Sequence, residues 1–108
     1  MDIGERIKRR RESLGMTQSE LAKRVGYASR STVNKIEKDG RGISQDKIIA
    51  IAKVLKTTPS YLMGWEDEEV ANLTARQEET IAKFFSLTEA NQLLIDKFID
   101  SLLEQQKG

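Results

Sequence analysis

Between Arg30 and Ile36 the chain sets Arg30, Ser31, Thr32, Asn34 and Lys35 around two large apolar side chains, Val33 and Ile36. Arginine offers a planar fork of donors, asparagine a donor beside an acceptor, the hydroxyls either role, and lysine a mobile point charge. Such a set suits recognition by hydrogen bonding and charge better than the making or breaking of covalent bonds. It is equally what an ordinary solvated helix face carries, and the residue types alone leave both readings open. Other chemistries are limited by composition. The 108 residues contain no cysteine and no histidine, which removes disulfides, thiol nucleophiles, zinc sites built from those ligands and any Ser-His-Asp arrangement. No remaining side chains pair a credible nucleophile with a base, so neither an enzyme nor a bound metal or cofactor is expected. Gly40-Arg41-Gly42 lacks a third glycine and follows a helical pattern, which argues against a dinucleotide site and for a loop.

The elements that must position these residues are punctuated clearly. Asp2 with Glu5 predicts a helix start, and the apolar residues Ile7 and Leu14 carry that helix to Gly15. Thr17 with Glu20 repeats the capping spacing before Leu21, Ala22 and Val25, and Gly26 stops this second helix. Ser29 is placed to cap a third helix, whose Val33 and Ile36 point to one side while the remainder stays polar. So narrow an apolar stripe must rest on a neighbour by one edge and present its other flank outward. Ser44 opens a fourth helix containing Ile48 to Ala52, the most apolar run in the chain and the expected centre of the core. Pro59 introduces a short fifth helix ending at Gly64, with Tyr61 and Trp65 expected to close the core. The run Lys8-Arg9-Arg10-Arg11 spreads around its helix and is expected to form a solvated face.

Charge divides the chain near Trp65. Residues 1–65 carry 14 Lys/Arg against 7 Asp/Glu, whereas residues 66–108 carry 4 against 10. A module of about +7 is thus followed by one of about −6, which implies a basic working face on the first and a different task for the second. Residues 66–73 begin with an acidic run and lack a clear period, so they read as a linker. Thr74 with Gln77, and then Thr88, predict the starts of two further helices, and no strand pattern occurs anywhere.

Thr17 to Gly26 followed by Ser29 to Glu37 meets the requirements of a helix-turn-helix: small Ala22 where two helices cross, Gly26 at the turn, and apolar anchors on the second helix. From Gly4 to Trp65 the chain resembles the Cro and phage-repressor, or XRE-type, family. The resemblance is carried by Gly15-x-Thr17-Gln18-x-x-Leu21-Ala22, Ile36-Glu37, Ile51-Ala52-x-x-Leu55 and Tyr61-Leu62-Met63-Gly64-Trp65. Val33 and Ile36 fall one residue later than in compact members, which places an extra residue within Tyr27-Ala28-Ser29.

The resemblance implies a five-helix lambda-repressor-like DNA-binding domain over residues 1–65; with the acidic linker at 66–73 and the two helices over residues 74–108, read as a dimerisation hairpin, the expected architecture is all-α. The resemblance also implies a transcriptional regulator of a prophage or mobile element that binds double-stranded DNA in the major groove. Arg30, Ser31, Thr32, Asn34 and Lys35 are then the candidate base contacts, with Arg30 suited to guanine and Asn34 to adenine. Gln18 matches the family's phosphate-clamping glutamine, with Ser29, Lys38 and Arg41 as further phosphate candidates. Arg11 and Glu37 match a structural ion pair of the family.

The tail carries its own signal. Leu94, Ile95, Phe98, Ile99, Leu102 and Leu103 form a stripe wider than Ile81, Phe84 and Phe85 can cover. A second copy of the chain is the expected cover, giving a homodimer on a palindromic operator, with Phe84 and Phe85 joining that interface. The charged amino terminus lacks a secretory signal and no apolar run approaches membrane length, so a cytoplasmic location is expected. Two rivals remain: a controller of a restriction-modification or toxin system, and a protein-interaction module that uses the helix-turn-helix as a scaffold.

Overall fold

The computed structural model describes residues 1–107 and contains helices and no strand among them. The helices are α1 (Ile3–Ser13), α2 (Gln18–Val25), α3 (Arg30–Lys38), α4 (Gln45–Val54), α5 (Pro59–Leu62), α6 (Glu68–Phe85) and α7 (Glu89–Lys107). They divide into two compact units, Met1–Arg76 and Gln77–Gly108.

The caps written in the sequence form the predicted bonds at most helix starts. Asp2 accepts from the Glu5 amide at 2.9 Å, Thr17 from Glu20 at 3.0 Å, and Ser44 from Lys47 at 3.3 Å. Ser29 occupies the cap position of α3 but makes no capping bond, because its hydroxyl pairs with that of Ser31 at 2.6 Å. Gly26 ends α2 with φ of 92°, and the Tyr27 amide returns to the Ala22 carbonyl at 2.8 Å, which reverses the chain into the turn.

The core of the first unit is built from Ile7, Leu21, Val33, Ile51, Leu55 and Leu62, all essentially sealed from solvent. Fully burying side chains of this size is worth about 1.5–3 kcal/mol each, so these positions hold the five short helices together. Only Ile51 and Ala52 of the apolar run in α4 are buried, whereas Ile49 is exposed. Gly4 marks the closest approach of α1 to α3. A Cβ added there would stand 2.5 Å from the Ile36 carbonyl oxygen and 2.6 Å from that of Glu37, so only glycine lets the two backbones meet.

Three expectations need correction. Residues 68–73 are helical: the Asp67 side chain accepts from the Glu69 amide at 2.9 Å, and its carbonyl accepts from Ala71 at 2.9 Å. The acidic run is a helix start whose charges suit the amino-terminal dipole, and Ala71 is fully buried in the first core. Thr74 therefore lies inside α6, where its hydroxyl donates to the Val70 carbonyl at 2.9 Å. Second, Tyr61 is buried but Trp65 is 77% exposed, so the tyrosine closes the core without it.

Third, the Lys8–Arg11 run is more than a solvated face. Arg10 donates to the carbonyls of Leu55 and Lys56 at 2.8 and 3.3 Å, satisfying the open end of α4. Arg9 lies 3.4 Å from Glu68, and Arg11 is buried.

In the second unit, Thr88 accepts from the Asn91 amide at 3.3 Å and so caps α7. Gln92 donates back to the carbonyls of Phe84 and Leu87 at 3.1 and 3.3 Å, tying the turn. Phe84 and Phe85 meet edge to face with ring centroids 5.8 Å apart. No residue of α7 is buried.

Candidate nucleic-acid interface

Helix α3 rests on the first unit by one edge. Val33 is 1% exposed, Glu37 is buried beside it, and Ile36 is half-buried against the core. At about 100° per residue, Ser31, Asn34, Lys35 and Lys38 stand about 100° or more around the helix from Val33, whereas Arg30 lies one turn before Val33 on the same side, at the helix start. Arg30, Ser31, Lys35 and Lys38 are exposed, and Asn34 is half-buried. Thr32 is also half-buried and is turned toward the flank of Ile36, away from that polar strip. The structure thus groups Ser31, Asn34 and Lys35 of the five candidate base contacts on one strip, leaves Arg30 exposed at the amino end of the helix and sets Thr32 apart.

Beneath this face lies a charged pair that fixes α3 to α1. Arg11 Nε donates to Glu37 Oε2 at 2.6 Å and Nη2 to Oε1 at 3.0 Å, and the two side chains are only 10% and 3% exposed. The third arm of the same guanidinium donates to the Met16 carbonyl at 2.8 Å, which holds the loop between α1 and α2. Hydrogen bonding to Glu37 pushes the Arg11 pKa upward despite the opposing cost of burial. A two-pronged charged contact of this kind sets angle as well as distance, so the tilt of α3 is specified by more than its two apolar anchors.

Gln18 begins α2 and is half-buried, with its Nε2 donating to Glu37 Oε1 at 3.1 Å and to Asn34 Oδ1 at 3.4 Å. Residue identity gave no hint of these bonds, because Gln18 is 16 and 19 residues from its two partners and meets them only when α2 and α3 cross. Ser29 stands exposed at the head of α3, and Lys38 at its exposed far end. The longer turn through Tyr27, Ala28 and Ser29 is braced by Lys47 of α4, whose ammonium lies 4.9 Å from the Tyr27 ring centre.

Arg41 is exposed but engaged, donating through Nε and Nη2 to the two oxygens of Asp39 at 2.9 and 2.8 Å. Those bonds hold the Asp39 carboxyl well below the usual carboxylate range, at about 2. Because the folded value is the lowered one, the pair is intact above about pH 4 and is lost as pH falls through 2. NMR titration should find the Asp39 midpoint near 2 and return it toward ~3.9 in Arg41→Gln. A midpoint unmoved by that substitution would show that the pair does not persist in solution.

Among the described residues, no group of three or more acidic, histidine or cysteine side chains could hold a metal ion. No helix of the described residues is long and apolar enough to cross a membrane.

The family model for helix-turn-helix proteins matches residues 7–62, which spans α2, the turn and α3 together with the helices that frame them. The chain belongs to the XRE-type helix-turn-helix family. It is 29% identical to the HTH-type transcriptional regulator ImmR of Bacillus subtilis, over all of this chain and 78% of that protein. The P22 c2 repressor, solved in complex with a synthetic operator, is similar at 30% identity and a TM-score of 0.56, over 61% of this chain and 98% of that one. The SinR protein/SinI protein complex contains a chain of similar fold, at 22% identity and a TM-score of 0.52, over 98% of this chain and 99% of that one. The repressor likeness thus covers about three-fifths of the chain, and the likeness to the SinR/SinI complex shows a similar fold along nearly all of it.

Proposed function

We propose that this chain is a sequence-specific, double-stranded DNA-binding repressor of a prophage or mobile element, acting in the cytoplasm as a homodimer on a palindromic operator. The observation that carries the reading is the division of α3 into an anchored edge, Val33 with Glu37, and an outward polar strip bearing Ser31, Asn34 and Lys35, with Arg30 exposed at the helix start. A slim helix presented in this way can enter a major groove and set donors and acceptors against base edges. The similarity to a repressor solved on its operator supports the same assignment. Ser29, Lys38, Arg41 and the amino end of α2 at Gln18 flank that face and would contact phosphates, which position the helix without reading sequence. For Arg41 this requires exchange of Asp39 for a phosphate.

Selection of bound fragments from random duplex DNA tests this function. A two-fold symmetric motif is expected. On that motif, Arg30→Ala should lose about 1–3 kcal/mol of discrimination at one base pair per half-site, whereas Lys38→Ala should weaken all sequences alike and lower the salt slope by about one. Recovery of fragments without a common motif would overturn the proposal.

A further inference from the structure

Glu37, Gln18 and Asn34 form a chain of hydrogen bonds with a fixed direction. Its origin is the buried Glu37 carboxylate, which can only accept and already holds Arg11 through both oxygens. Gln18 meets Glu37 Oε1 at 3.1 Å, and a carboxylate admits only the amide nitrogen at that contact, since a reversed amide would set oxygen against oxygen. The same nitrogen has one further proton, and it faces Asn34 Oδ1 at 3.4 Å. Both donors of the Gln18 side chain are therefore occupied within the protein, which leaves its backbone amide as the donor that can face a phosphate.

We propose that Gln18 is a positioning residue that decides which way round Asn34 presents its amide to DNA. This rests on the DNA-binding function proposed above. With Oδ1 turned toward Gln18, Asn34 offers its Nδ2 donor outward. In the major groove that donor finds an acceptor on guanine, adenine or thymine and meets only the N4 donor on cytosine. The buried Arg11–Glu37 pair thereby acts beyond holding α3 in place, because it sets the polarity of a hydrogen bond at the reading face. Without Gln18, the Asn34 amide is free to invert, present its oxygen, and accept from cytosine.

The test uses the full chain with Gln18→Met, which keeps length and removes both donors, beside Asn34→Ala and the double variant. Affinities are measured on the selected operator and on operators carrying each alternative at the base pair where Asn34→Ala loses preference. Gln18→Met should reduce discrimination against cytosine at that pair about two- to tenfold, leave preferences elsewhere intact, and add nothing to the Asn34→Ala change there. Thermal unfolding of the variant serves as a control for loss of fold. A uniform loss on every sequence, with the preference retained, would make Gln18 a phosphate ligand and overturn the proposal. So would an Asn34→Ala variant that changes preference nowhere. If the unaltered chain shows no sequence preference on any duplex, the DNA-binding function fails and this inference falls with it.

Discussion

Arg11→Met is expected to cost about 3–5 kcal/mol of folding stability, a large part of what a domain of this size possesses. The reason is what the substitution leaves behind. Glu37 is 3% exposed, and removing its guanidinium partner strands a carboxylate in the core with only Gln18 to donate to it. The Met16 carbonyl loses its donor as well. The pair itself need not be strongly stabilising, because taking two charges out of water offsets most of their attraction. Arg11→Met with Glu37→Leu together should therefore recover most of the loss. Urea unfolding of the four proteins at one fixed concentration closes the cycle. A single-variant cost below about 1 kcal/mol would mean that water reaches Glu37 and that the pair does not anchor α3. The double variant should also bind DNA with altered preference at the Asn34 position, since it removes the group that orients Gln18.

That pair shows how far the sequence could be read. Capping residues were legible because a cap is a local device: Asp2, Thr17, Ser44 and Thr88 each bond to an amide three residues on. The amphipathic split of α3 was legible for the same reason, since Val33 and the polar residues around it obey one helical repeat. The Arg11–Glu37 pair was reached through resemblance, because 26 residues separate the partners and spacing carries no trace of their contact. Gln18 as a bridge between Glu37 and Asn34 was not legible at all, as it depends on the angle at which two helices cross.

The misread segment is instructive in a different way. Asp67, Glu68 and Glu69 have the composition of a solvated connector and also the composition of a helical first turn. What separates the two is whether an apolar side chain a few residues later finds a core, and Ala71 does. A small, weakly hydrophobic residue gives little warning of this. Trp65 errs in the opposite sense. An aromatic at a helix end usually packs, yet Tyr61 and Leu62 already fill the space beneath α5 and Trp65 is left outside.

The remaining large effect concerns the second unit. Phe98 is 61% exposed, and Leu94, Ile95, Ile99, Leu102 and Leu103 stand exposed along the same helix. A helix of this length with no buried residue has little to hold it as a lone element in water, because most helical stability comes from packing an apolar face. Our proposal that a second copy covers this face implies that Phe98→Glu with Leu102→Glu should cost little in the isolated chain, where both sites already meet solvent. In a dimer the same change would bury two carboxylates without partners, which an interface cannot compensate. Sedimentation should accordingly show a shift from dimer to monomer at micromolar concentration. Affinity for a duplex bearing two half-sites should fall by about 10²–10⁴, since the second half-site is no longer engaged intramolecularly, whereas affinity for a single half-site should hardly change. The first unit carries none of these residues, so its core should unfold at the same temperature as before. If mass and two-site affinity both survive the substitutions, the exposed face of α7 has another use, and the palindromic operator loses its physical basis.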